Sequence, residues 1–245
     1  MEQSRRTFLQ YSAAAVASTG TAASRNMHLV LLGDSIFDNG AYTGGKPDVI
    51  TQLRNVIPRG WKADLLARDG ATTEGIAAQL ARVPPGATHL VLSVGGNDAL
   101  MQQHLLRSSA SSTAEALTVL GHAVRHFETA YRKVIDACVA RGLPLTICTI
   151  YNGNFDDRQY QRIVQVALAL FNDAIIRTAT EHHLNVIELR MVCSQPEDYA
   201  NAIEPSSTGA AKIARAILIA TKSTSSQNTS GISAVRAARL FSGRG

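Results

Sequence analysis

Five short apolar runs, each followed by a longer stretch with helical periodicity, constrain this 245-residue chain more than any other feature. The runs are "HLVLLGD" (28–34), "KADLLARDG" (62–70), "ATHLVLSVGGND" (87–98), "LPLTICTIY" (143–151) and "LNVIELR" (184–190). The helical stretches are 47–57, 73–83, 112–141, 157–183 and 205–222, the third capped by Ser112 or Thr113 and stopped at Gly142-Leu143-Pro144. Strands alternating with helices of this length imply βαβ units and a parallel sheet. Right-handed crossovers then gather the strand carboxyl ends on one edge, where open α/β sheets place their ligand crevice. The expected organisation is one α/β domain over 27–220 with five parallel strands.

The ends of the chain read differently. Residues 1–26 contain Ser4-Arg5-Arg6-Thr7-Phe8-Leu9, similar to a twin-arginine export motif, followed by a weakly apolar Ala-rich stretch with small residues suited to a signal-peptidase cut. The expectation is export to the periplasm or medium through the twin-arginine machinery. A start of translation at Met27 would leave the protein cytoplasmic. Residues 221–245 are Ser-rich and aperiodic and read as a flexible basic tail. The two ends carry the net positive charge, and 27–220 has a net charge of −1 despite a pI near 9.3. A near-neutral body argues against a nucleic-acid partner. Cys138, Cys148 and Cys193 form no disulfide framework, although Cys148 and Cys193 could pair if their strands adjoin. No residue spacing resembles a metal site, and no cofactor is implied.

Three polar turns fall at the carboxyl ends of the first three strands: Gly33-Asp34-Ser35, Asp69-Gly70-Ala71-Thr72 and Gly95-Gly96-Asn97-Asp98. Each alone is an ordinary turn or helix cap. Together, on one edge of one sheet, they make Ser35 a candidate nucleophile rather than a turn residue only.

These turns resemble those of the SGNH/GDSL hydrolase family. "LLGDSIFDNG" is similar to its first block, "DGATT" to its second, "SVGGND" to its third and the "GAAKIA" helix (209–214) to its last, a resemblance spanning about 30–215. It implies a flavodoxin-like three-layer α/β/α sandwich. It further implies a Ser35 acyl-enzyme, with an oxyanion hole built from the Ser35 and Gly70 N–H groups and the Asn97 amide. Such fixed donors stabilise the charge that develops on an ester carbonyl oxygen.

The last block departs from the family pattern. Where the family carries Asp-x-x-His-Pro, this chain reads "NAIEP", with Asn201 at the Asp position and Glu204 at the His position. Burial can raise a catalytic Glu toward neutrality, whereas a helix start beside Pro205 would lower it. Glu204 is the candidate general base and Asn201 its candidate orienting partner. His104 and Asp38 are alternative bases, Asp98 a further carboxylate near the crevice, and Phe37 a candidate wall of the acyl pocket. The expected activity is hydrolysis of a small-molecule, lipid or carbohydrate ester. The alternatives are a catalytically impaired binding protein of the same fold and an acyltransferase.

Overall fold

The computed structural model describes residues 26–227. The segment expected to direct export, apart from Asn26, and the residues beyond Gln227 lie outside the described residues. Five parallel strands, β1 (His28–Gly33), β2 (Lys62–Leu65), β3 (His89–Ser93), β4 (Leu145–Cys148) and β5 (Asn185–Ile187), form one sheet in the order β2-β1-β3-β4-β5. The chain steps outward from β1 to one edge, crosses back beside β1, and continues to the other edge. The crevice expected at such a reversal lies between the ends of β1 and β3.

Among the described residues, seven α-helices cover the two faces: α1 (Val49–Val56), α2 (Ile76–Leu80), α3 (Gly96–Leu100), α4 (Thr113–Val139), α5 (Arg158–Glu181), α6 (Leu189–Val192) and α7 (Ser207–Gln227). Val30 and Leu32 point to one face and pack with α2, α4 and α5. Leu29 and Leu31, one residue out of phase, pack on the other with α1 and α7. All four are fully buried, which explains why β1 reads as an unbroken apolar run rather than an alternation. The expected three-layer sandwich is thus the observed architecture.

Helix boundaries follow local chemistry. Asp48 caps α1 by accepting the Thr51 N–H, Ser112 caps α4 through Glu115, and Asp157 caps α5 through Gln159 and Tyr160. Two expectations shift. The stretch 184–190 leaves the strand at Ile187, because the Glu188 side chain caps α6. The last helix continues to Gln227, so 221–227 is helical rather than part of the tail. Cys138, Cys148 and Cys193 are all buried free thiols, and the considered Cys148–Cys193 bridge is not formed.

Candidate active site

The end of β1 is clamped before the chain turns. The Gln79 side chain accepts the Gly33 N–H at 2.7 Å and donates to the Gly33 carbonyl at 2.8 Å. Gly33 has φ of 130°, and a Cβ there would lie 1.8 Å from the Ser93 carbonyl oxygen, so only glycine lets β1 and β3 run this close. Asp34 follows, with its N–H donating to the same Ser93 oxygen at 3.1 Å. The chain then coils around Asp34, whose carbonyl accepts the N–H groups of Phe37 and Asp38 and whose Oδ1 accepts that of Ile36. This tight turn presents Ser35.

Ser35 Oγ donates to Glu204 Oε1 at 3.1 Å, across 169 residues of sequence. Both side chains are only 6% exposed. Glu204 Oε2 is buried and has no hydrogen-bond partner among the described residues. Burial raises the Glu204 carboxyl to about 7, opposed by the Ser35 hydroxyl and assisted by the charge of Asp69. Glu204 stands three residues ahead of α7, on a segment where Pro205 bridges Tyr199, so desolvation outweighs any helix-end stabilisation of the anion. Asp34, buried beside it, is pushed to about 8 by desolvation, with Glu204 and Asp98 adding to the rise. At neutral pH Asp34 is therefore mainly an uncharged acid and Glu204 is poised near its midpoint.

The backbone around Glu204 is held from several directions. Asn201 Oδ1 accepts the N–H groups of Ile203 and Glu204, both at 2.9 Å. This corrects the expected contact: Asn201 secures the main chain that carries Glu204 and makes no hydrogen bond to its carboxylate. A short Asn side chain reaches local backbone donors first. Tyr151 Oη donates to the Ile203 carbonyl at 2.5 Å, and Asn39 Nδ2 to the Pro205 carbonyl at 3.0 Å. Asp198, fully buried, pairs with Lys212 at 2.6 Å and anchors the loop that precedes Glu204. Sequence reasoning missed Asn39, Gln79 and Tyr151, because their partners are backbone atoms far along the chain.

The other two turns are laced to the first. Asn97 Nδ2 donates one hydrogen to the Ala71 carbonyl at 2.9 Å, leaving its second hydrogen available. Asp98 accepts the Thr73 N–H and hydroxyl, the latter at 2.6 Å. Asp38 accepts the Asp69 N–H at 3.0 Å, and Asp69 accepts the Tyr42 hydroxyl at 2.7 Å. Asp38 and Asp98 thus bind neighbouring turns together. Gly70 is exposed with φ of 76°, and neither its N–H nor that of Ser35 has an intramolecular acceptor among the described residues.

A largely apolar cavity of about 110 Å³ opens beside Ser35, against the roughly 10–15 Å³ one water needs on the same measure. Ser35, Asn97 and Glu204 lie at its polar end, and Leu120, Ala167 and Phe171 form part of its apolar wall. The segments 36–46, 99–111 and 151–157 contribute Ile36, Leu106 and Phe155, and α4 and α5 supply the rest of the apolar wall. Phe37 is not among the lining residues. It is fully buried in the core under α1 and α7, since the tight coil at 34–38 turns Ile36 to the cavity and the next residue away. His104 is exposed with its Nδ1 near the Met101 carbonyl, and does not line the cavity.

The fold is the α/β/α sandwich of a class of proteins that includes solved lipase structures. The chain belongs to the GDSL-like lipase/acylhydrolase family, whose pattern matches residues 31–212. No curated protein sequence matches it significantly. Among solved structures, it is similar to an extracellular lipase from Streptomyces rimosus (17% identity, TM-score 0.60, covering 80% of this chain and 99% of that one). It also resembles the lipase Lip_vut3 from a goat rumen metagenome (18%, 0.62, 80% and 97%) and phospholipase A1 from Streptomyces albidoflavus NA297 (14%, 0.60, 81% and 99%).

Proposed function

We propose that the protein hydrolyses carboxylic esters through a Ser35 acyl-enzyme, with Glu204 as general base in place of the family histidine. The observation that carries this reading is the Ser35–Glu204 hydrogen bond at 3.1 Å, within the reach a general base needs. Ser35 Oγ attacks the ester carbonyl carbon as its proton passes to Glu204 Oε1. The oxyanion is held by the N–H groups of Ser35 and Gly70 and the free hydrogen of the Asn97 amide. Collapse breaks the bond to the alcohol oxygen, which leaves with the proton from Glu204. A water, deprotonated by the same carboxylate, then attacks the acyl-enzyme, and Ser35 departs with that proton.

An ordinary carboxylate is a weaker base than imidazole, and elevation of Glu204 to about 7 removes that handicap. The neutral Asp34 adds little repulsion to the base when the proton arrives. The apolar cavity favours an ester whose acyl part is a hydrocarbon chain, and the twin-arginine-like start of the chain supports a role outside the cytoplasm. No metal or cofactor takes part in this scheme.

The test is a series of p-nitrophenyl esters with wild-type protein, Ser35→Ala and Glu204→Gln. Loss of about 10²–10⁴ in kcat for both substitutions is expected. A wild-type rate equal to that of Ser35→Ala would instead identify a binding protein, and acyl products formed on an added alcohol would identify a transferase.

A further inference from the structure

The seam between α4 and α5 changes character along its length. Toward its far end Glu128 accepts from Arg177 at 2.8 Å, and Arg132 pairs with both Glu128 and Glu181. Both cross-helix pairs join residues 49 apart, so the helices run parallel in fixed register. Eleven residues earlier on each helix, about three turns and therefore the same faces, stand Leu117 and Val166. They are 58% and 69% exposed. In the same register Leu170 faces Gly121 and Ile163 faces Ala114. The seam is thus ionic at one end and apolar at the end where Ser35 lies.

This apolar strip adjoins the cavity. Leu120 and Ala167, on the inner side of the same helix turns, line it, and Met101, 66% exposed, adjoins the lining residues Gln102 and Gln103. Five of the eleven exposed large apolar side chains among the described residues fall here: Met101, Leu117, Ile163, Val166 and Leu170. Contiguous exposure of this kind marks a contact surface. Helix α5 is by length and composition apolar enough to cross a membrane, yet only 39% of its most apolar window is buried within the protein. Its Asp157 cap and its ion pairs with α4 hold it against the sheet, so its outer stripe lies along the surface.

The charges around the strip are unbalanced. Arg107, Arg125, Arg158 and Arg162 are exposed and form no ion pair among the described residues, whereas Arg132, Arg177 and Arg190 do. Arg107 lies over the Tyr160 ring, 5.6 Å from its centroid. The nearby acids are Glu115, Asp156 and Asp157; the hydrogen bonds that Glu115 and Asp157 accept come from neutral donors and leave both anionic, so the four arginines exceed them by one charge. Apolar side chains flanked by unpaired arginines match a lipid layer with anionic headgroups. We propose that the α4–α5 strip docks the protein on such a layer, with the cavity mouth facing the lipid.

The test is co-sedimentation of the full chain with vesicles of dialkyl-ether phosphatidylcholine, with and without dialkyl-ether phosphatidylglycerol. Ether lipids contain no ester, so the result is independent of the Ser35 chemistry. Binding that requires the anionic lipid is expected, and L117D/V166D should lower it at least about tenfold without changing the thermal midpoint. Arg162→Gln should weaken it roughly fivefold. If the double variant unfolds, Val166→Ser provides the same reading at an exposed position. Absence of vesicle binding by the wild type overturns the proposal. So does equal binding by the variants, which would assign attachment to the basic chain ends they still carry. A dimer in light scattering that Val166→Asp dissociates would make a second copy the occupant and equally overturn it.

Discussion

The side chain of Asn39 donates to the Pro205 carbonyl at 3.0 Å while accepting the Val49 N–H at 2.9 Å. Two segments 166 residues apart, one presenting Ser35 and the other Glu204, are thereby fastened to each other and to the start of α1. Asn39 is fully buried, so Asn39→Ala leaves two backbone groups unpaired in the interior. The expected loss is about 2–4 kcal/mol of stability by chemical denaturation. Ester turnover measured well below the melting range should fall about tenfold in kcat with little change in KM, because the hydroxyl and carboxylate lose their common anchor.

The pH dependence follows from the elevated Glu204 carboxyl. As a base it works only when ionised, so kcat should rise with pH through about 7 and level off above it. Glu204→His, which restores the family residue, should keep activity but move that limb toward the ordinary histidine range or that of its new surroundings. Stopped-flow or steady-state rates from pH 5 to about 9 measure both limbs. A flat profile would remove Glu204 from the role.

Asp34 makes a prediction about stability instead. Its folded pKa of about 8 is above its ordinary value near 3.8, so the folded state favours the protonated form. That contribution is fully present below about pH 4 and is lost as pH rises through about 8. Asp34→Asn keeps an acceptor for the Ile36 N–H and cannot ionise. Relative to wild type it should gain roughly 1–3 kcal/mol at pH 9 compared with pH 4, read from denaturant midpoints across pH.

Chain-length preference is set by the apolar wall. Ala167 is 8% exposed on α5 and faces the cavity. Ala167→Phe should fill much of the space, leaving kcat/KM for an acetyl ester within about threefold while lowering that for an octanoyl ester at least about tenfold. The ratio of the two, rather than either alone, is the informative quantity.

Much of this architecture is legible in the residues themselves. The five strands are short apolar runs because both faces of the sheet are covered, and the cap at Ser112 is visible as a local polar residue before helical periodicity, whereas Asp48 and Asp157, read as the first turns of their helices, cap them instead. The resemblance that singled out Ser35, Gly70, Asn97 and Glu204 rests on contiguous blocks. What brings Ser35 to Glu204 is not contiguous: Gln79, Asn39 and Tyr151 act on backbone groups 46, 166 and 52 residues away. Side chain to backbone bonds of that span leave no spacing to recognise. Phe37 and Asn201 were misread for a local reason. At Phe37 the turn rotates successive side chains to opposite surroundings, and at Asn201 the amide bonds its own loop rather than the neighbouring carboxylate.

Asp38 and Asp98 each occupy their carboxylates with donors from the next turn over, so no turn around Ser35 can change length without breaking a link to another. Residues 102–111 make no hydrogen bond to those turns among the described residues, though Gln102, Gln103 and Leu106 supply part of the cavity wall. That segment is accordingly the place to transplant loops of foreign sequence, retuning which molecules enter while the machinery beneath stays intact.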